Sequence, residues 1–387
     1  MTENWQDGGF GLYVHWPFCQ AKCPYCDFNS HVVSAIDQNR WARALAREID
    51  RYAEKTPNRI LRSIFFGGGT PSLMAPDTVA HVLDAAQKGW RWSNEIEVTL
   101  EANPTSVETD RFKEYAKAGV NRVSLGVQAL NDTDLHRLGR LHDTASAMRA
   151  LDIAQEAFGR VSFDLIYARQ DQTLADWEQE LGQALALQPD HLSLYQLTIE
   201  QGTAFWDRRE KGGLKGLPDE DLAADMYELT QDLCRFAGLE AYEVSNHARP
   251  GAESLHNLIY WFYGDWVGVG PGAHGRLTLD SGERVANVAF TQPGRWMAAV
   301  EEGCGDDSVD GISASDAMSE FLMMGLRVAK GIDYARFHRF PGAEDVVPRI
   351  NEMIDDGFLW SDGQRFGTTD QGRLLLNQVI AALLPED

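Results

Sequence analysis

"GLYVHWPFCQAKCPYC", Gly11 to Cys26, decides how this chain is read. Its first six residues are apolar and β-prone, the composition of a strand buried on both faces. The strand runs into Pro17 and then into three cysteines, Cys19, Cys23 and Cys26, within eight residues. Further short apolar runs follow at 63–68, 95–103, 121–128, 161–167 and 191–197. Amphipathic segments such as 37–55, 109–119 and 144–159 lie between them. Strand and helix in alternation predict a parallel α/β architecture. Six repeats suit an incomplete (β/α)6 TIM-like barrel better than a closed eightfold one, and pattern alone leaves an open doubly wound sheet as the alternative. In such barrels chemistry gathers at the C-terminal strand ends. There the chain places the cysteines, "GGGTPS" (67–72), "EANP" (101–104) and Gln128, with Asp164 in the fifth strand and Gln196 in the sixth.

Beyond residue 200 the pattern changes. A Gly-rich loop precedes a helix near 220–236, and "AYEVSNHA" (241–248) reads as a strand. Residues 254–276 are dense in aromatics and glycine. From about 313 the order is helix, helix, hairpin, helix, that of a small winged-helix-like α+β unit. The domains expected are 1–240 as the core, 241–310 as a linking region and 311–387 as a C-terminal domain.

Composition bounds the function. With 58 acidic and 35 basic residues the formal net charge is -23, which argues against nucleic acid as a general partner. No apolar run is long enough to span a bilayer. The N-terminus has neither a basic flank nor an apolar signal core, so a cytoplasmic protein is expected. Five cysteines, three clustered and two isolated, do not make a disulfide framework.

Three thiolates fit few roles. Structural zinc takes four ligands, usually as two spaced pairs. A redox pair at Cys23 and Cys26 leaves Cys19 unexplained. Three buried cysteines would be inert packing. A 4Fe–4S cube normally takes four thiolates, so three leave one iron open. The amine and carboxylate of S-adenosylmethionine (SAM) form a chelate suited to that iron, and an electron from the cluster cleaves the sulfonium to a 5′-deoxyadenosyl radical.

The pattern Cys19, Cys23, Cys26 followed by Phe28 resembles the signature of the radical SAM superfamily. The context "YVHWPFCQAKCPYCDFNS" is similar to the branch that holds HemN, the oxygen-independent coproporphyrinogen dehydrogenase, and HemW, a heme chaperone. The resemblance extends through "FFGGGTPSL", "EANP", "RVSLGVQ", "LGRLH", "HNLIYW", "GVGPGAHG" and "TDQGRLLLN". It implies a 4Fe–4S cluster on the three cysteines and SAM against Tyr13, Gly68, Gly69, Thr70 and Glu101. Gln128, Arg140 and Asp164 match polar residues around SAM, including a second SAM in the HemN type. One departure stands out. Ala168, Arg169 and Gln170 replace the usual Gly-Leu-Pro after the fifth strand, removing its turn residues.

HemN types carry a further cysteine where this chain has Phe28, and a longer N-terminal arm than the twelve residues before Tyr13. Both differences favour the chaperone branch over a porphyrinogen-decarboxylating enzyme. In "HNLIYW", His256 and Tyr260 are i and i+4, as are Asn257 and Trp261, stacked on neighbouring helix faces. Concentrated aromatics otherwise mean core packing. The resemblance implies a heme-binding motif, with His256 the expected iron ligand and His247 and His274 as competitors. It also implies an acceptor hemoprotein and an electron donor such as a flavodoxin or ferredoxin.

Overall fold

A computed structural model describes residues 5–104 and 109–384. The outermost residues of the expected first and last domains, 1–4 and 385–387, and 105–108 within the first, lie outside them. The sequence runs form β1 (Phe10–Trp16), β2 (Ile60–Gly68), β3 (Arg91–Ala102), β4 (Arg122–Gln128), β5 (Arg160–Tyr167) and β6 (His191–Gln196), each parallel to the next. Leu12, Val14, Ile64, Phe66, Val98, Leu100, Val123, Leu125 and Leu165 along them are fully buried, which is why the runs carry few charges.

Helices α1 (Gln38–Lys55), α2 (Pro76–Gly89), α3 (Thr109–Ala118), α4 (Asp132–Arg137), α5 (Thr144–Ala157) and α6 (Leu174–Ala186) make the crossovers. In α1, Trp41, Leu45, Ile49 and Tyr52 recur at helical spacing on the buried face, and the Asp37 side chain caps its first turn. In α6, Thr173 and Asp176 form a reciprocal capping box.

The stretch read from sequence as a linking region supplies strands to the same sheet. After α7 (Ala204–Glu210) and α8 (Glu220–Phe236) come β7 (Glu240–Ala241), β8 (Asn246–Ala248), helix α9 (Leu255–Trp261), β9 (Asp265–Val269), β10 (His274–Thr278), β11 (Arg284–Ala289) and β12 (Asp306–Gly311). The twelve-stranded sheet runs β12-β11-β10-β9-β1-β2-β3-β4-β5-β6-β8-β7. β9 is parallel to β1, while β8 is antiparallel to β6, so the barrel is incomplete and has a seam between those ends. Trp41 of α1 stacks on Trp296 of the helix Pro293–Glu302 with centroids 5.4 Å apart, fixing this later stretch to the core.

Residues 314–383 form helices around a three-stranded sheet, Ile332–Asp333, Arg365–Thr368 and Leu359–Ser361. The core of this unit, including Phe321, Phe337, Ile350 and Phe366, also takes in Tyr263, two residues past α9. The seam of the barrel, α9 and the C-terminal unit therefore meet.

Candidate functional site

The cysteine loop is pinned by close backbone contacts. Gly69 N–H donates to the Trp16 carbonyl at 2.7 Å and Thr70 N–H to the Phe18 carbonyl at 2.8 Å. A Cβ on Gly69 would lie 2.7 Å from the Phe18 carbonyl oxygen and 3.0 Å from Cys19 Sγ. Gly68 has φ +110°, and a Cβ there would lie 2.6 Å from the His15 ring. The glycines after β2 are thus needed by the protein's own packing, not only for approach to a ligand. His15 joins the site through Nδ1 to the Tyr13 hydroxyl, 2.9 Å, and Nε2 to the Asn29 carbonyl, 2.9 Å. Asn29 Nδ2 in turn donates to the carbonyls of Pro271 and Thr291 at 2.9 and 2.8 Å. Those contacts tie the loop to "GVGPGAHG", where a Cβ on Gly272 would strike Asn29 Nδ2 at 2.6 Å.

The three cysteines are half-buried, and Cys23 lies close enough to Cys19 and Cys26 to raise their thiols. Burial is the main cause for Cys19 and Cys26. Arg140 Nη1 is 3.3 Å from Cys23 Sγ, and the Thr70 hydroxyl is 3.5 Å from Cys19 Sγ. Both donors stabilise thiolates. Among the described residues no three His, Cys, Asp or Glu side chains converge as one ion requires. A cube offers each thiolate its own iron, so three half-exposed cysteines on one loop beside a guanidinium suit that group. Cys234 is buried on α8 and Cys304 is exposed near the Pro293–Glu302 helix.

The other expected SAM residues gather here. Cys23, Thr70, Asn103, Gly139 and Arg140 line one crevice. Gly68 N–H donates to Glu101 Oε2 at 3.3 Å. Burial and nearby Asp164 push Glu101 up to about 7, with the Gly68 bond opposing. Gln128, at φ +70°, donates from Nε2 to Asp164 Oδ2 at 2.6 Å and accepts from the Tyr25 hydroxyl. Asp164 Oδ1 is buried with no partner among the described residues, and burial raises this carboxyl. Gly139 and Asn29 were not singled out from sequence, although "LGRLH" and "CDFNS" were. Their roles are close packing and carbonyl bridging, which no residue type announces. The loop after β5 finds another lock. Ala168 takes φ +57°, and the buried Arg169 guanidinium donates to the Ile166 carbonyl and pairs with Asp134 at 2.8 Å and Glu180 at 2.5 Å.

α9 lies behind this site, nearer the N-terminal strand ends. Glu97 of β3, 2% exposed, accepts from Leu255 N–H at 3.1 Å, His256 N–H at 3.1 Å and the Ser254 hydroxyl at 3.3 Å, and pairs with Arg160 at 2.7 Å. His256 is 1% exposed and stacks on Phe65 at 4.9 Å. Its Nδ1 is 2.8 Å from the Ser63 hydroxyl and its Nε2 2.7 Å from the Tyr260 hydroxyl. Burial, then Arg122, push His256 down to about 3. His256, expected from sequence as the iron ligand, is here a covered ring with both nitrogens engaged. Ser63 and Glu97, which hold it, had no sequence signal beyond polarity within apolar strands. His247 is buried with both ring nitrogens unpartnered among the described residues, and His274 is exposed.

The motif's other residues do reach open space. Asn257, Tyr260 and Trp261 line a cavity of about 870 Å³ between the barrel seam and the C-terminal unit. Arg327 and Arg373 also line it, and Glu243 and Glu220 are the acidic groups among the described lining residues. Burial raises the Glu243 carboxyl, and Glu101 raises the Tyr260 and Tyr13 phenols beyond what burial does, so the cavity wall lies within electrostatic reach of Glu101.

Residues 13–183 match the family model of the radical SAM superfamily, and residues 312–375 that of the HemN C-terminal domain. The chain is 39% identical to the mitochondrial radical S-adenosyl methionine domain-containing protein 1 of Bos taurus, over 96% of this chain and 87% of that protein. It is 37% identical to heme chaperone HemW of Escherichia coli, over 97% of this chain and 98% of that one. The solved structure of coproporphyrinogen III oxidase, HemN, of Escherichia coli superposes with a TM-score of 0.80 at 21% identity, covering 98% of this chain and 92% of that one.

Proposed function

The chain belongs to the HemW family of the radical SAM superfamily, and on that premise we propose that it binds heme in the cavity beside α9 and passes it to an acceptor hemoprotein. One observation carries the reading. The cavity brings Asn257, Tyr260 and Trp261 together with two arginines, Arg327 and Arg373, in a volume of about 870 Å³, within the range of small-molecule sites. Heme is a flat apolar ring with two carboxylates. Aromatic and amide side chains suit the ring, and guanidinium groups suit the carboxylates.

Cys19, Cys23 and Cys26 would hold a 4Fe–4S cluster, which when bound supplies an electron and an open iron for SAM. The protein's residues do the rest. Gly68, Gly69 and Thr70 present backbone against the methionine part of SAM. Tyr13, Glu101, Gln128, Arg140 and Asp164 surround it. Glu101, held up to about 7, accepts a hydrogen bond from the amine of SAM when in its carboxylate form. A flavodoxin or ferredoxin fits as electron donor. Among the described residues no helix is long and apolar enough to cross a membrane.

The dehydrogenase reading has the likeness in fold to HemN in its favour. Anaerobic reconstitution with iron and sulfide, followed by separate titrations with SAM and heme, separates the two. Heme uptake and transfer to an apo-hemoprotein without porphyrinogen decarboxylation is the expected result. Decarboxylation of coproporphyrinogen III would overturn it.

A further inference from the structure

The cysteine loop is surrounded by exposed apolar side chains that neither thiolate ligation nor contact with SAM uses. Phe28, Val32 and Leu141 are 55%, 57% and 65% exposed, and Val33, next in the chain, is exposed as well. Each of the first three is tied to one cysteine. Val32 pairs with Cys19 in the short parallel ladder of Phe18–Cys19 with His31–Val32. Leu141 lines the same crevice as Cys23. Phe28 N–H donates to the Cys26 sulfur. Close packing holds the Leu141 turn and the loop together. A Cβ on Gly139, at φ +70°, would lie 2.6 Å from Pro24 Cδ, and Phe205 N–H donates to the Pro24 carbonyl at 2.8 Å. Apolar side chains grouped in this way at a surface mark a place of contact.

Resting on the cluster reading, we propose that Phe28, Val32, Val33 and Leu141 form the docking face for a flavin-bearing electron-carrier protein. Size, charge and shape select that occupant. Four side chains make a small patch. Electron-transfer encounters are small interfaces, below about 1,200 Å², whereas permanent dimers bury about 2,000 Å² or more. Between Cys19 and Val33 the charged residues are Lys22 and Asp27, both exposed, and their charges cancel. In a chain of net charge -23, an acidic carrier meets less repulsion here than the chain as a whole presents. The dimethylbenzene edge of a flavin is flat and apolar, and one aromatic ring among aliphatic side chains is its counterpart. A heme acceptor would meet a different surface, because the described residues that line the large cavity begin at Tyr195. Each encounter moves one electron from the reduced flavin to the group that the cysteines hold. The flavin is oxidised by one electron, and no bond between the two proteins forms or breaks.

The test reconstitutes the full chain anaerobically with iron and sulfide and follows its reduction by reduced flavodoxin, a carrier of net negative charge, in stopped flow. The wild-type rate is expected to saturate with flavodoxin and to rise as salt screens the repulsion between two acidic proteins. Val32→Ser and Leu141→Ser should each raise the half-saturating flavodoxin concentration about tenfold, the effect of losing an apolar anchor. The limiting rate, the cluster absorbance and the rate of reduction by dithionite should stay as in wild type, a split that a merely structural role would not give. Val309→Ser, at an exposed position on β12, should match wild type throughout. In wild type, flavodoxin should also slow hydrogen exchange at the amides of 27–33 and 139–142. Unchanged exchange there would overturn the face, and that arm needs no variant. Variants that saturate as wild type does would overturn it too, as would a defect confined to heme transfer or to self-association. Ferredoxin that reduces wild type with equal sensitivity to both substitutions would overturn the flavin assignment. Wild type reduced by dithionite but not by flavodoxin would overturn the partner and leave the cluster reading intact. Wild type that takes up no cluster would overturn the cluster reading and this face together.

Discussion

The cysteine loop and helix α9 belong to one barrel and are held in opposite ways. The loop sits at the C-terminal strand ends with its thiols half-exposed, pinned by backbone contacts through Gly68, Gly69 and Asn29. α9 sits deeper, anchored by side chains: Glu97 at its first N–H groups and Ser63 on His256. In the loop the chemically conspicuous residues are the accessible ones. In α9 the most conspicuous residue, His256, is among the least accessible, and its neighbours Asn257, Tyr260 and Trp261 meet the cavity. Residue type therefore draws attention to a segment, and burial decides which member of it reaches open space.

The largest effect that would break this contrast is loss of the cluster. Replacing Cys19, Cys23 or Cys26 by Ala should abolish the iron–sulfur absorbance of reconstituted protein, and Cys234→Ala and Cys304→Ala should leave it unchanged. Absorbance lost on changing Cys234 or Cys304 would show that the loop is not self-sufficient.

Next comes the anchor of α9. Glu97→Ala strips three donors of their acceptor and leaves the Arg160 and Arg122 charges uncompensated in a buried setting. A cost of about 3–5 kcal/mol in urea unfolding is expected, together with loss of heme binding. A variant as stable as wild type would mean that packing alone holds the helix.

His247 tests the seam by pH. Burial, then Arg373, lower it from 6.5 to about 4. Its folded pKa lies below the unfolded value, so its contribution is present above pH 6.5 and lost as pH falls towards 4. The full loss is about 3 kcal/mol at ~1.4 kcal/mol per unit. His247→Leu should flatten the urea midpoint between pH 6.5 and 4 relative to wild type. Parallel profiles would place the ring's protonated form in contact with solvent.

The smallest effect belongs to the strand-end glycine. Gly68→Ala forces a Cβ at φ +110° into the His15 ring, and about 1–3 kcal/mol of strain is expected in thermal unfolding. SAM-induced change in the reduced cluster's EPR spectrum should weaken as well. A variant of wild-type stability that still responds to SAM would show that His15 yields freely.

The sequence by itself determined the strand–helix alternation and the clustered cysteine loop, because each is written in contiguous residues. Runs such as 63–68 and 161–167 are apolar through both faces, and three cysteines in eight residues need no distant partner to be recognised. Only the tertiary structure decided that residues 241–310 complete the main sheet, since β9 pairs with β1 across some 250 residues. The same holds for Arg169, whose partners Asp134 and Glu180 flank it at a distance in the chain. It holds above all for His256. Helical spacing places His256 and Tyr260 one above the other, but it does not say which of them faces the sheet. That was settled by Ser63 on β2, which bonds the imidazole, and Glu97 on β3, which holds the first N–H groups of the helix, while Tyr260 lines the cavity.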